Sequence, residues 1–203
     1  VDNLFNGFPG ADTVTSGLNH LGQTVQLVST PLEGPGDWQH GQIPCQTAVD
    51  NGKMDGFDLL KPIGSPPTNY SYVQQSDTTV YWTLARDYAF ADKNFSSQCG
   101  SSFPAHQYLI AGQTGSMNTP DREPWGCDSQ IKTPPCFNYN TLGDLGDAAG
   151  VTWRYYSPGQ SVSDPSTISG FMAYDAISHI RYGNDWTNGD ISVPETNFLT
   201  DVT

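Results

Sequence analysis

Residues 97–114 read SQCGSSFPAHQYLIAGQT. Two serines precede Pro104, a lone histidine follows, and a short apolar run closes on Gly112. The spacing predicts a helix. Ser102 stands at an N-cap position, proline is tolerated in the first turn, and glycine supplies the stop. A helix N-terminus offers free N–H groups and partial positive charge, so an anion can rest there. A hydroxyl at that point is placed to attack phosphorus if a metal lowers its proton affinity. On pattern alone Ser102 reads as a cap.

Working outward, DTTVYWTLARDYAF (77–90) has a helical period, with Asp77 as cap and Val80, Tyr81, Leu84, Ala85 and Tyr88 on one apolar stripe. TLGDLGDAAG predicts a second helix, capped by Thr141, with Leu142 and Leu145 facing inward and Gly150 as stop. VTWRYYS (151–157) reads as a strand and GFMAYDAISHIRYG (170–183) as one further helix. TVQLVST (24–30) alternates like a strand. Residues 1–76 carry little helical period, and 31–75 read as loops around NGKMDGF. PETNFLTDV begins another amphipathic turn. Helix, glycine and strand recur, which argues for a layered α/β domain with long ordered loops.

The chain has 203 residues, 36% hydrophobic and 12% aromatic, enough for a packed core in a single domain. Its apolar runs are far shorter than the ~20 residues of a membrane span. A formal charge of −13 repels phosphate backbones, and no basic run offsets it, so nucleic acid is excluded as a partner. The polar, lysine-poor composition leans toward a secreted or periplasmic protein. Cys45, Cys99, Cys127 and Cys136 lack metal-ligand spacing. Cys127 and Cys136 bracket a loop with Pro134 and Pro135 and are paired as a disulfide, which leaves Cys45–Cys99 by elimination; four buried free thiols are the alternative.

YWTLARDYAFADKNFSSQCGSSFPAHQYLIAGQTG (81–115) resembles the nucleophile segment of the phosphoesterase family of bacterial phospholipases C and acid phosphatases, within the alkaline phosphatase-like superfamily. Members carry Ser or Thr, a variable residue, Pro, usually Asn, then Arg or His. Ser102, Pro104 and His106 match, and Ala105 stands where Asn is usual. VDNLFNGFPGAD (1–12), NGKMDGFD (51–58) with His40 placed 14 residues before Met54, WGCDSQ, CFNYNTLGDLGDAAGVTWRYYSP and AISHIRYGNDW resemble the same family in the same order.

The resemblance implies an α/β/α layered, alkaline phosphatase-like fold, present in part. It implies hydrolysis of phosphate esters or phospholipids, with Ser102 as a metal-bound nucleophile that forms a phosphoryl-enzyme. His40 is then a proton donor to the leaving group, and Asp55 and His106 lie near the substrate phosphate. A divalent metal ion is the implied cofactor. Ser102 alone of its ligands falls in this chain, which resembles an internal segment without the family's terminal ligand motifs. Open sheet edges and weak catalysis are expected of such a segment. From the residues alone, His40 reads equally as an exposed loop histidine, Asp55 as an Asx turn residue and His106 as locally hydrogen-bonded. His20 and His179 have no partner pattern. The competing readings are a non-catalytic secreted binding protein or inactive fragment, and, on Trp and Tyr content alone, a carbohydrate-binding module.

Overall fold

Four aromatic rings tie the N-terminal stretch to the longest helix. Phe5 and Phe8 pack between Trp82 and Phe90, with ring centroids 4.3 Å apart for Phe5–Phe90 and 5.1 Å for Phe8–Trp82. The Trp82 indole N–H donates to the Leu4 carbonyl at 3.0 Å. In the computed structural model, which describes residues 2–100, 102–115, 126–127, 136–159 and 172–203, the chain divides into two units, Val1–Gly100 and Ser101–Thr203.

The first unit begins with β1 (Ser16–Leu18), β2 (Thr24–Gln26), β3 (Val28–Thr30) and β4 (Gly36–Trp38), followed by α1 (Gln42–Val49). β5 (Pro62–Gly64), β6 (Ser71–Val73) and α2 (Gln75–Asp87) complete it. β1 pairs antiparallel with β2, β3 parallel with β6, and β4 antiparallel with β5. The strand expected over 24–30 is therefore two strands in different sheets. It breaks at Leu27, whose N–H turns to the Thr15 carbonyl. The sequence also hid α1: Pro44 sits in its first turn and Ala48 is its only buried residue, so no apolar period announces it.

The α2 helix forms near its expected place but presents a different face. Val80 is 71% exposed and Tyr88 82%, whereas Thr78 is fully buried and Trp82, one turn on, holds the aromatic cluster. One large ring with a satisfied N–H wins over a stripe of smaller apolar side chains. Asp77 lies inside the first turn, not at the cap, and its carboxylate accepts from the Leu32 N–H at 3.0 Å.

In the second unit, α3 (Ser102–Ala111) and α4 (Leu142–Ala148) precede β7 (Tyr155–Tyr156). Then come α5 (Ser178–Arg181), α6 (Asn184–Asn188), β8 (Ile191–Ser192) and α7 (Asn197–Asp201). β7 and β8 run parallel, so only two residues of the strand expected over 151–157 pair. The core gathers Ile110, Met172, Tyr174, Ile177, Trp186 and Ile191, each worth roughly 1.5–3 kcal/mol on burial. The helix expected over 170–183 is split, with 170 and 171 outside the described residues. A 3-10 turn at Ala173–Ala176 gives way to extended Ile177, which bridges in parallel to Phe137, before α5 resumes. That bridge replaces the helical hydrogen bonds: the Phe137 N–H donates to Ala176 and the Ser178 N–H to Phe137. Arg181 pairs with buried Asp175 at 3.1 Å and lies 4.3 Å from the Trp186 ring.

The expected cap of α4 is present as a reciprocal capping box between Thr141 and Asp144. Its expected inner face is not. Leu142 and Leu145 are 63% and 62% exposed, and the helix packs instead through Gly143 onto Trp153. A Cβ on Gly143 would stand 2.6 Å from Trp153 Cζ2. Gly143→Ala is thus expected to lower stability by about 1–3 kcal/mol, although alanine alone favours a helix by up to about 1 kcal/mol. A urea melt checks the sign, and an unchanged or raised midpoint would contradict this packing.

The fold is α/β, with mixed helices and short strands in open two-stranded sheets, consistent with part of an alkaline phosphatase-like fold. Both expected disulfides, Cys45–Cys99 and Cys127–Cys136, are formed.

Candidate functional site

Ser102 opens α3 as its first residue, one position inside the expected cap; residue 101 lies outside the described residues. Pro104 fits the first turn because its missing N–H would have had no helical partner. The remaining free N–H groups give this end its partial positive charge. Phe103, Pro104, Gln107 and Ile110 form the buried face that fixes the helix. Gln107 is fully buried and satisfied, since its amide donates to the Ala173 carbonyl at 2.8 Å and its oxygen accepts from Tyr139 Oη at 2.7 Å. Burial pushes that phenol up to about 12. Ser102 and His106, four residues apart, share a half-buried face of this anchored helix. Burial holds the His106 imidazole below the ordinary histidine range, so at neutral pH it offers hydrogen bonds but no charge.

His40 and Asp55 belong to the first unit. His40 follows β4 and is exposed. Its Nδ1 lies 2.8 Å from the Trp38 carbonyl oxygen and 3.3 Å from Asp37. A carbonyl only accepts, so Nδ1 carries the proton and Nε2 is the atom left to take up or release one. The ring lines a cleft of about 560 Å³ with Gln39, Ile43, Pro44, Leu59 and Lys61. Asp55 does not line this cleft. It follows Met54, which is left-handed at φ 58, and is only 9% exposed, with Oδ1 buried and without a hydrogen-bond partner. The next residue, Gly56, packs on the Thr47 carbonyl of α1, where a Cβ would come within 2.0 Å. The structure thus brings Ser102 and His106 together on one helix of the second unit, while His40 and Asp55 both lie in the first unit, Asp55 outside the cleft that His40 lines.

A family model for the Phosphoesterase family matches residues 13–201. The chain belongs to the Phosphoesterase family. The match takes in the segments carrying His40, Asp55, Ser102 and His106 and begins just after VDNLFNGFPGAD. A search of curated proteins finds no match. Membership brings hydrolysis of phosphate esters as the class of activity.

Phosphoesterase family members commonly depend on a metal. Among the described residues no three His, Cys, Asp or Glu converge where an ion could be held. The donors described here do not fit a metal centre, and no chemical step is routed through one.

Two histidines that carried no sequence pattern have partners. His20 Nδ1 meets Asp58, whose carboxylate also accepts the His20 backbone N–H; with its partner 38 residues away, spacing could not reveal it. His179 joins Asn138 at 2.8 Å to Asp144 at 2.9 Å, so it braces the α4 cap. Burial raises the Asp144 carboxyl, but the Thr141 hydrogen bonds and the facing His179 outweigh it and hold the group below the usual carboxylate range. A depressed folded value means stability that is present above the unfolded value of about 4 and lost as pH falls through the folded one. The melting midpoint is expected to drop below about pH 4, and Asp144→Asn to make that drop smaller. Identical pH profiles for both proteins would contradict this.

Proposed function

We propose that the protein hydrolyses phosphate esters, as a phosphatase or phospholipase C, through a phosphoryl group carried by Ser102. The observation that carries this reading is the position of Ser102 in the first turn of α3, within the span matched to the Phosphoesterase family. Ser102 Oγ passes its proton to solvent water and bonds to phosphorus while the ester P–O bond breaks. The departing oxygen takes a proton, the role that the family resemblance gives to His40. Water then attacks the phosphoserine, releasing phosphate and restoring the hydroxyl. The helix N-terminus favours the anionic phosphoryl group throughout. Asp55 and His106 are assigned to binding the substrate.

No metal takes part in these steps, since the described donors do not complete a centre; a chelator asks whether turnover needs one supplied from outside the described residues. Two disulfides support a secreted or periplasmic setting, and no helix among the described residues is long and apolar enough to cross a membrane. Release of phosphate from an aryl ester, measured for the parent chain and for Ser102→Ala with and without a chelator, tests the proposal. One departure, Ala105 where the family pattern has Asn, favours a second reading as a phosphate-ester binding protein without turnover. The same assay separates the two.

A further inference from the structure

The cleft beside His40 holds a charge that the rest of the unit has left over. Among the described residues, Lys53, Arg86, Lys93, Arg154 and Arg181 each lie within ion-pair distance of a carboxylate. Lys61 has no such partner, in a chain with a net charge of −13. It lines the cleft of about 560 Å³ whose walls are otherwise largely apolar, from Ile43, Pro44, Leu59 and Ile63. That volume lies within the range of small-molecule sites. Pairing of β4 with β5 fixes the placement, because the Gln39 N–H donates to the Lys61 carbonyl at 2.9 Å and so sets Lys61 across from the residue before His40.

We propose that this cleft binds a phosphate ester with an apolar body, an aryl or short alkyl monoester, with Lys61 as its counter-charge and Ile43, Pro44 and Ile63 against the body. The cleft lies within the first unit and is argued as a binding site only, so the proposal assigns it no part in turnover at Ser102. An acidic surface repels small anions generally, so a lone unpaired cation on an apolar cleft selects anions whose apolar part adds to the attraction. The site therefore favours such esters over compact polar ones. Lys61 is a ligand-selecting residue of this cleft that no motif in the sequence marks.

The test uses the full chain with both disulfides intact in the Ser102→Ala background, so that the ligand is not consumed. Calorimetric titration compares 1-naphthyl phosphate, glycerol 2-phosphate and 1-naphthol, and vesicles of phosphatidylcholine containing phosphatidic acid. The naphthyl phosphate is expected to bind more tightly than either small comparator. Lys61→Gln should raise its Kd about fivefold, as for an exposed charge pair, and leave 1-naphthol unchanged. Ile43→Ser, at a position 75% exposed and so safe for folding, should weaken both naphthyl compounds. An unchanged Kd in Lys61→Gln, equal binding of glycerol 2-phosphate, or binding to the vesicles without binding of naphthyl phosphate would each overturn the proposal. Because no turnover is measured, failure here is distinct from failure of the Ser102 chemistry.

Discussion

Ser102→Ala is expected to lower phosphate-ester hydrolysis by roughly four orders of magnitude or more, the scale seen when a covalent nucleophile is removed. It should do so without unfolding the second unit. The α3 helix is held by Phe103, Pro104, Gln107 and Ile110. Gln107 keeps its bonds to Ala173 and Tyr139. The melting midpoint should therefore stay within the small range of substitutions away from cores and networks, about 0.5 kcal/mol. Activity lost with stability kept marks a chemical role. Activity kept would remove Ser102 from the mechanism, and activity lost together with a collapsed midpoint would return it to a structural one.

The largest stability effect belongs to the Cys45–Cys99 disulfide. It closes a loop of 54 residues, against 9 for Cys127–Cys136. Chain-entropy scaling assigns about 4 kcal/mol to the longer loop and about 3 to the shorter. The first bridge also ties α1, which buries only Ala48, to the end of its unit. The second spans residues already pinned by backbone hydrogen bonds, Cys127 to Asp175 and Phe137 to Ala176. Paired Cys→Ser variants in denaturant melts are expected to rank in that order, with the Cys45/Cys99 pair losing more. The reverse order would contradict the assignment of the first unit's stability to that bridge.

What the sequence made legible was local. The serine, proline and glycine around α3 act within one turn of themselves, and so does the Thr141–Asp144 cap. The family resemblance was legible because its segments recur in order along nearly the whole chain, where the family match confirms them from 13 to 201. What failed was the choice of faces. Val80 and Leu84, or Leu142 and Leu145, look inward by period, but Trp82 and the Gly143–Trp153 contact decide the packing, and these depend on partners distant in sequence. Ile177 leaves the helix for the same reason, since Phe137 offers it a bridge. Of the candidate site, the residue types were legible from family order. The Asp37–His40–Trp38 arrangement was not, because it depends on how the chain turns after β4, and the unpaired charge of Lys61 was not, because it shows only once the other described cations are matched to their carboxylates.

Turnover through Ser102 passes through a phosphoryl group on its hydroxyl. The most direct measurement is an acid quench during turnover of 1-naphthyl phosphate, followed by digestion and mass spectrometry of the peptide that carries residue 102. One phosphoryl group is expected on Ser102 in the parent chain and none on that peptide in Ser102→Ala. Hydrolysis with that peptide unmodified, or with the group on another residue, would contradict it.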